Sequence, residues 1–156
     1  MPRYGRVPKR KVKPDSLYES ELIQRLINRI LLRGKKATAE KIVYREMAII
    51  KEKTKQEAIK VFDVALRNIT PALEVKARRV GGSTYQVPVE VSAERGRSMA
   101  LSWLIDAART RGGKSMAEKL AGEIIDASNN TGGAIGQKDT LHKTAEANRA
   151  FAHFRW

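Results

Sequence analysis

The sequence predicts a mainly α protein: a bundle of about six helices, a protruding two-stranded β-hairpin at about 72–91, and a basic extended arm at 1–14. Three observations carry this. Apolar residues recur at helical spacing through most of the chain. That period gives way to alternation across one stretch centred on Gly81-Gly82. The first fourteen residues hold six cations, three prolines and no acid. Residues 15–156 then read as one helical domain carrying the hairpin.

In the arm, Arg3, Arg6, Lys9, Arg10, Lys11 and Lys13 supply the charge, and Pro2, Pro8 and Pro14 forbid a continuous helix. An extended, mobile segment that orders on a partner is expected. Leu22, Ile23, Leu26, Ile27, Ile30 and Leu31 then make one apolar helical face. Ser16 with Glu19 has capping-box spacing, Ser20 is a rival cap, and Gly34 is the expected stop. Lys35 and Lys36 open a second helix, with Ala39, Ile42, Val43, Met47 and Ile50 inward. Thr54 and Glu57 suggest a capping box for a third, whose face is Ala58, Ile59, Phe62, Ala65, Leu66 and Ile69. Thr70-Pro71 ends it.

Leu73, Val75 and Ala77 then alternate with Glu74, Lys76 and Arg78, which predicts a strand with the three acidic and basic residues outward. Tyr85, Val87, Val89 and Val91 alternate with Gln86, Pro88 and Glu90 after the turn. Pro88 donates no ladder hydrogen bond and is expected on an open edge. A lone hairpin is marginal in water, so its base is expected to be held by the helices, with Tyr85 as an inward anchor. Ser92 caps a fourth helix displaying Met99, Leu101, Trp103, Leu104 and Ala107, and Arg111-Gly112-Gly113 ends it. Ser115 and Glu118 form a capping box for a fifth, with Leu120, Ala121, Ile124 and Ile125 inside. Asn129 to Gly133 reads as a flexible loop, and a last helix is expected from near Asp139 toward Phe154.

Lys plus Arg number 31 against 17 Asp plus Glu, a net charge of +14, which attracts polyanions. Nucleic acid is the commonest such partner and an anionic membrane the next. The membrane fits poorly, because no run approaches ~18 apolar residues and the N-terminus lacks a secretory signal. Cysteine is absent, which removes disulfide and thiolate chemistry. His142 and His153 are spaced too widely along one helix to share a metal and read as surface or RNA-facing groups. No serine sits in a nucleophile elbow, and the acids read as solvated helix faces. Gly34-Lys35-Lys36 lacks the rest of a phosphate loop, and Gly132 to Gly136 lacks the strand that a dinucleotide turn follows. No enzyme and no cofactor are expected.

Nucleic-acid contact is expected on separated elements instead. The arm is purely basic and joined to a basic domain, so its phosphate contacts would release counterions. Lys35 and Lys36 oppose the helix dipole, which leaves two readings open: an anion held with the exposed amides, or a solvated loop. Lys76, Arg78 and Arg79 climb toward the hairpin tip, and Arg95 and Arg97 follow its end. Near the C-terminus, Arg149, His153, Arg155 and Trp156 are within reach of RNA, while Phe151 and Phe154 suit packing. Trp156 suits RNA or the covering of apolar surface equally. A reading from another class is a protein-interaction module or DNA-binding regulator, with a helix-turn-helix at 92–128.

Several segments together resemble the small-subunit ribosomal protein S-seven family, bacterial or plastid type. They are Glu21, Ile23 and Ile27 followed by Gly34-Lys35-Lys36 and Ile42-Val43; Lys76-Ala77-Arg78-Arg79-Val80-Gly81-Gly82; Tyr85-Gln86-Val87-Pro88; and Ala147-Asn148-Arg149-Ala150-Phe151-Ala152-His153-Phe154. The match runs through essentially the whole chain in order. Glu46 departs from it, standing where the family usually has a small residue. The resemblance implies a structural constituent of the small ribosomal subunit. Such a protein binds small-subunit rRNA directly, nucleates assembly of the head domain, and contacts mRNA and tRNA near the exit site through its hairpin. It implies neighbouring small-subunit proteins as partners, and a cytoplasmic ribosome or, for an organelle source, the plastid stroma. By position, the family's RNA contacts fall on the arm, Lys35, Lys36, Lys76, Arg78, Arg79 and Arg95.

Overall fold

The computed structural model describes residue 5 and residues 11–154. They form two units, Met1–Val43 and Tyr44–Trp156. In the first, α1 spans Glu21–Ile30 and buries Ile23, Leu26, Ile27 and Ile30. The Ser16–Glu19 capping box does not form. Asp15 takes that place: its side chain accepts the amides of Leu17 and Tyr18 at 3.1 Å each, and the N-cap position falls to Ser20. Gly34 is not the helix stop either. The helix ends at Ile30, and Arg33 and Gly34 together turn the chain with φ of 52° and 73°. Then α2, Lys36–Thr54, begins. It runs on into the second unit and buries Ala39, Val43, Met47 and Ile50, with Glu46 fully buried among its residues.

In the second unit, α3 spans Ala58–Ile69 and buries Val61, Phe62, Ala65, Leu66 and Ile69. Each large apolar side chain so buried contributes about 1.5–3 kcal/mol. The Thr54–Glu57 box is absent, because the Thr54 hydroxyl donates back to the Ile50 carbonyl (2.7 Å) and closes α2 instead. Helix α4 spans Ala93–Thr110, α5 Met116–Ser128 and α6 Gly133–Ala147. The box at α5 forms as expected, with the Glu118 amide donating to the Ser115 hydroxyl at 3.3 Å. The α3, α4 and α5 helices pack on one another and α6 closes against all three.

The loop expected at 129–133 is shorter, and α6 starts six residues before Asp139. The reason is Glu123, 2% exposed, which the alternation of charged and apolar residues did not single out. Its Oε1 accepts the Ala134 amide (2.8 Å) and its Oε2 accepts Arg111 Nη1 (2.8 Å), while Arg111 also pairs with Asp126. Gly132 has φ +101°, and a Cβ there would stand 2.9 Å from Glu123 Oε1. Only glycine lets the chain pass this close to the carboxylate and start the helix. Asn68 completes the corner by donating to the carbonyls of Ala127 (3.0 Å) and Ser128 (3.2 Å), and Lys138 donates to the Asn68 carbonyl at 2.7 Å. These bonds fasten α3, α4, α5 and α6 at one end. After α6 the chain breaks at Asn148, and Arg149–Phe154 forms a 3₁₀ segment rather than a continuation of the helix.

The hairpin consists of β1, Leu73–Val80, and antiparallel β2, Ser83–Glu90. Val80 pairs with Ser83, so Gly81-Gly82 is a two-residue turn. Their φ values of 58° and 90° are the positive pair that a type I′ turn needs.

Candidate nucleic-acid interface

The hairpin differs at its two ends. At the root Val87 and Pro88 are buried, while the outer residues Arg79 and Gly81 to Thr84 are exposed. Tyr85 is an inward anchor as expected, but in the outer half of β2 rather than at the base: its ring lies 5.0 Å from Phe151 and 5.3 Å from Phe154. Two such aromatic contacts add about 0.5–1.5 kcal/mol each beyond area burial. His142 is half-buried and has a structural partner. Its Nε2 accepts the Ala72 amide at 3.2 Å and ties α6 to the first residues before β1. Pro88 sits opposite Val75 in a sheet of two strands, so it lies on an edge strand as expected, and the residue is buried.

The strict in–out alternation of β1 fails at two positions. Glu74, expected outward, is 5% exposed, whereas Ala77, expected inward, is exposed. Glu74 Oε1 accepts Lys76 Nζ at 3.0 Å and its Oε2 accepts Arg95 Nε at 2.6 Å. Burial alone would raise the Glu74 carboxyl. The hydrogen bonds and charges of Arg95 and Lys76 outweigh it and hold the carboxyl below its ordinary range, so it is ionised. A residue at this position two before a lysine carries no sequence signal for burial, and sequence reading missed it. It also missed the Arg111–Glu123–Asp126 corner, whose partners lie twelve and fifteen residues apart.

The expected contact residues are thus distributed over several surfaces. Lys76 and Arg95 are brought together at the hairpin root by Glu74, at 48% and 58% side-chain exposure. Arg78 and Arg79 follow along β1, opposite Tyr85 and Thr84. Arg97 is exposed two residues beyond Arg95 in α4. Arg149 is exposed beside a cleft of about 590 Å³ between the hairpin root and α6, lined also by Leu73, Pro88, Glu90 and His142. Within the first unit, Lys11, Lys13 and Lys36 line a second cleft of about 440 Å³ with Gln24 and Asn28. Lys36 pairs there with Glu40 at 3.4 Å, and Lys35 lies exposed before α2. Arg3, Arg6, Lys9, Arg10, Arg155 and Trp156 lie outside the described residues.

Against the alternative class, α4 and α5 are two successive helices, but α5 has the wrong charge for a recognition helix. It carries Glu118, Glu123 and Asp126 against the single Lys119. Among the described residues no group of three or more histidines and acids could hold a metal. No helix among them is long and apolar enough to cross a membrane.

Comparison with known proteins agrees with this geometry. The family model "Ribosomal protein S7p/S5e" matches residues 2–149. The chain is 58% identical over all 156 residues to small ribosomal subunit protein uS7 of Pelotomaculum thermopropionicum, covering the whole of both chains. It is 58% identical to that of Dictyoglomus thermophilum and 57% to that of Alkaliphilus oremlandii, again over both full lengths. With a basic body, cations on separated surfaces and a root-anchored hairpin, the chain belongs to the ribosomal protein S7p/S5e family, the non-enzymatic, RNA-binding structural proteins of the small ribosomal subunit.

Proposed function

We propose that the protein binds small-subunit rRNA directly, organises the head domain of that RNA during assembly, and touches mRNA and tRNA at the exit site with its hairpin. The observation that carries this reading is the placement of the cations. They occupy the 11–36 cleft in the first unit and the hairpin and the start of α4 in the second, so three separate elements carry them. A branched RNA offers phosphates in several directions at once, and a straight duplex does not. Residues 1–14 act as a basic arm that adds contacts to the same RNA. Lys35, Lys36, Lys76, Arg78, Arg79, Arg95, Arg97 and Arg149 supply the remainder.

The test is titration of the intact protein with a transcript of the three-prime major domain of small-subunit RNA across salt. Removing a contacting cation flattens the log–log salt slope by roughly 0.7–0.9. Salt-independent binding, or a slope untouched by R78A, R79A and K36A, overturns direct phosphate contact. Deleting residues 76–86 is expected to leave the helices folded, to impair exit-site function and to remove the rRNA contacts of Lys76, Arg78 and Arg79.

A further inference from the structure

Arg95 is held in an unusual way. Only its Nε is bonded to Glu74, at 2.6 Å, and neither of its terminal Nη groups has another partner among the described residues. An arginine gripped at Nε presents both Nη groups on the far side of the planar guanidinium, which is the fork that accepts a phosphate bidentately. Arg95 also stands in the first turn of α4, where a cation opposes the helix dipole. The buried Glu74 carboxylate offsets that and fixes the side chain. The same carboxylate fixes the Lys76 ammonium through its other oxygen, at 3.0 Å. One buried anion thus sets two half-exposed cations side by side and leaves a net positive site.

We propose that Glu74 is a positioning residue that presets the Arg95 Nη fork and the Lys76 ammonium as a single phosphodiester-binding site at the hairpin root. This rests on the reading that the protein binds RNA through its cations. Its physical content is that two long side chains lose their freedom on folding instead of on binding. The ligand class is a phosphodiester group of RNA, because the two side chains offer only donors and positive charge.

The sign of one substitution tests it. Glu74→Gln removes a negative charge from a surface that binds a polyanion. Simple electrostatics then predicts tighter RNA binding, whereas positioning predicts weaker binding by about 10-fold. Arg95→Lys keeps the charge but gives up the fork, and is expected to lose a similar factor. In an R95A background E74Q is expected to lose most of its effect, because Glu74 acts through Arg95; an equal penalty in both backgrounds marks a merely structural role. The readout is affinity for the same transcript, with thermal melting of each variant alongside. Unchanged or tighter binding by E74Q, or wild-type affinity in R95K, overturns the proposal. If R95A and K76A are silent while R78A and R79A weaken binding, this site fails and the wider reading stands. If all four are silent, the wider reading fails with it.

Discussion

Glu123 in α5 and Glu46 in α2 are both buried glutamates in the same unit, yet their surroundings make them opposites. Glu123 uses both oxygens, on the Ala134 amide and Arg111, and joins three helices. Glu46 is fully buried and neither oxygen has a hydrogen-bond partner. Burial with nothing to offset it pushes the Glu46 carboxyl well above its ordinary range, so folding favours its neutral form. A buried acid is therefore either a fastener or a burden. Which one it is depends on what the rest of the chain brings to it.

The largest effect is expected from breaking the fastener. Glu123→Ala leaves Arg111 half-paired and the α6 amide without its acceptor, and should lower the unfolding free energy by about 3–5 kcal/mol in a denaturant titration. Removing the burden works the other way. Glu46→Met fills the same space without a polar group and should raise stability at neutral pH by about 1–3 kcal/mol. Its pH dependence sharpens the contrast. The folded protein keeps the Glu46 proton that the unfolded chain releases, so this group's contribution is intact below the ordinary carboxylate range and is lost as pH rises. Glu74, held low, does the reverse: its contribution is present above that range and lost as pH falls through its folded value. Denaturation across pH 4 to 8 should show the wild type losing stability relative to E46M as pH rises. A parallel pair of curves contradicts a neutral Glu46. The smallest effect belongs to Gly132→Ala, which crowds Glu123 and strains a left-handed backbone. It should cost about 1–2 kcal/mol, read as a lowered Tm.

The same contrast explains what could be read from the sequence. Helix positions, the Ser115 box and the Gly81-Gly82 turn were legible because local spacing decides them. The boxes at Ser16 and Thr54 failed because Asp15 and the Ile50 carbonyl were better local partners than the glutamates three residues on. The start of α6 was misplaced because Glu123, eleven residues earlier, anchors it, and spacing rules do not see across a turn. The cations of the interface were visible as charge. Their arrangement was not, since Glu74 looked like an outward residue of an alternating strand. Glu46 showed itself in the sequence only as a departure from a small residue, and only the structure shows that it lacks a partner.

Eight residues in each strand make the hairpin about 26 Å long at ~3.3 Å per residue. It is a lever with its fulcrum at the root, where His142 holds the Ala72 amide. A tilt of about 10° at that fulcrum swings the glycine tip by about 4–5 Å over such a length. Small repackings of the C-terminal aromatics are thereby amplified into displacements as large as the spacing between neighbouring strands.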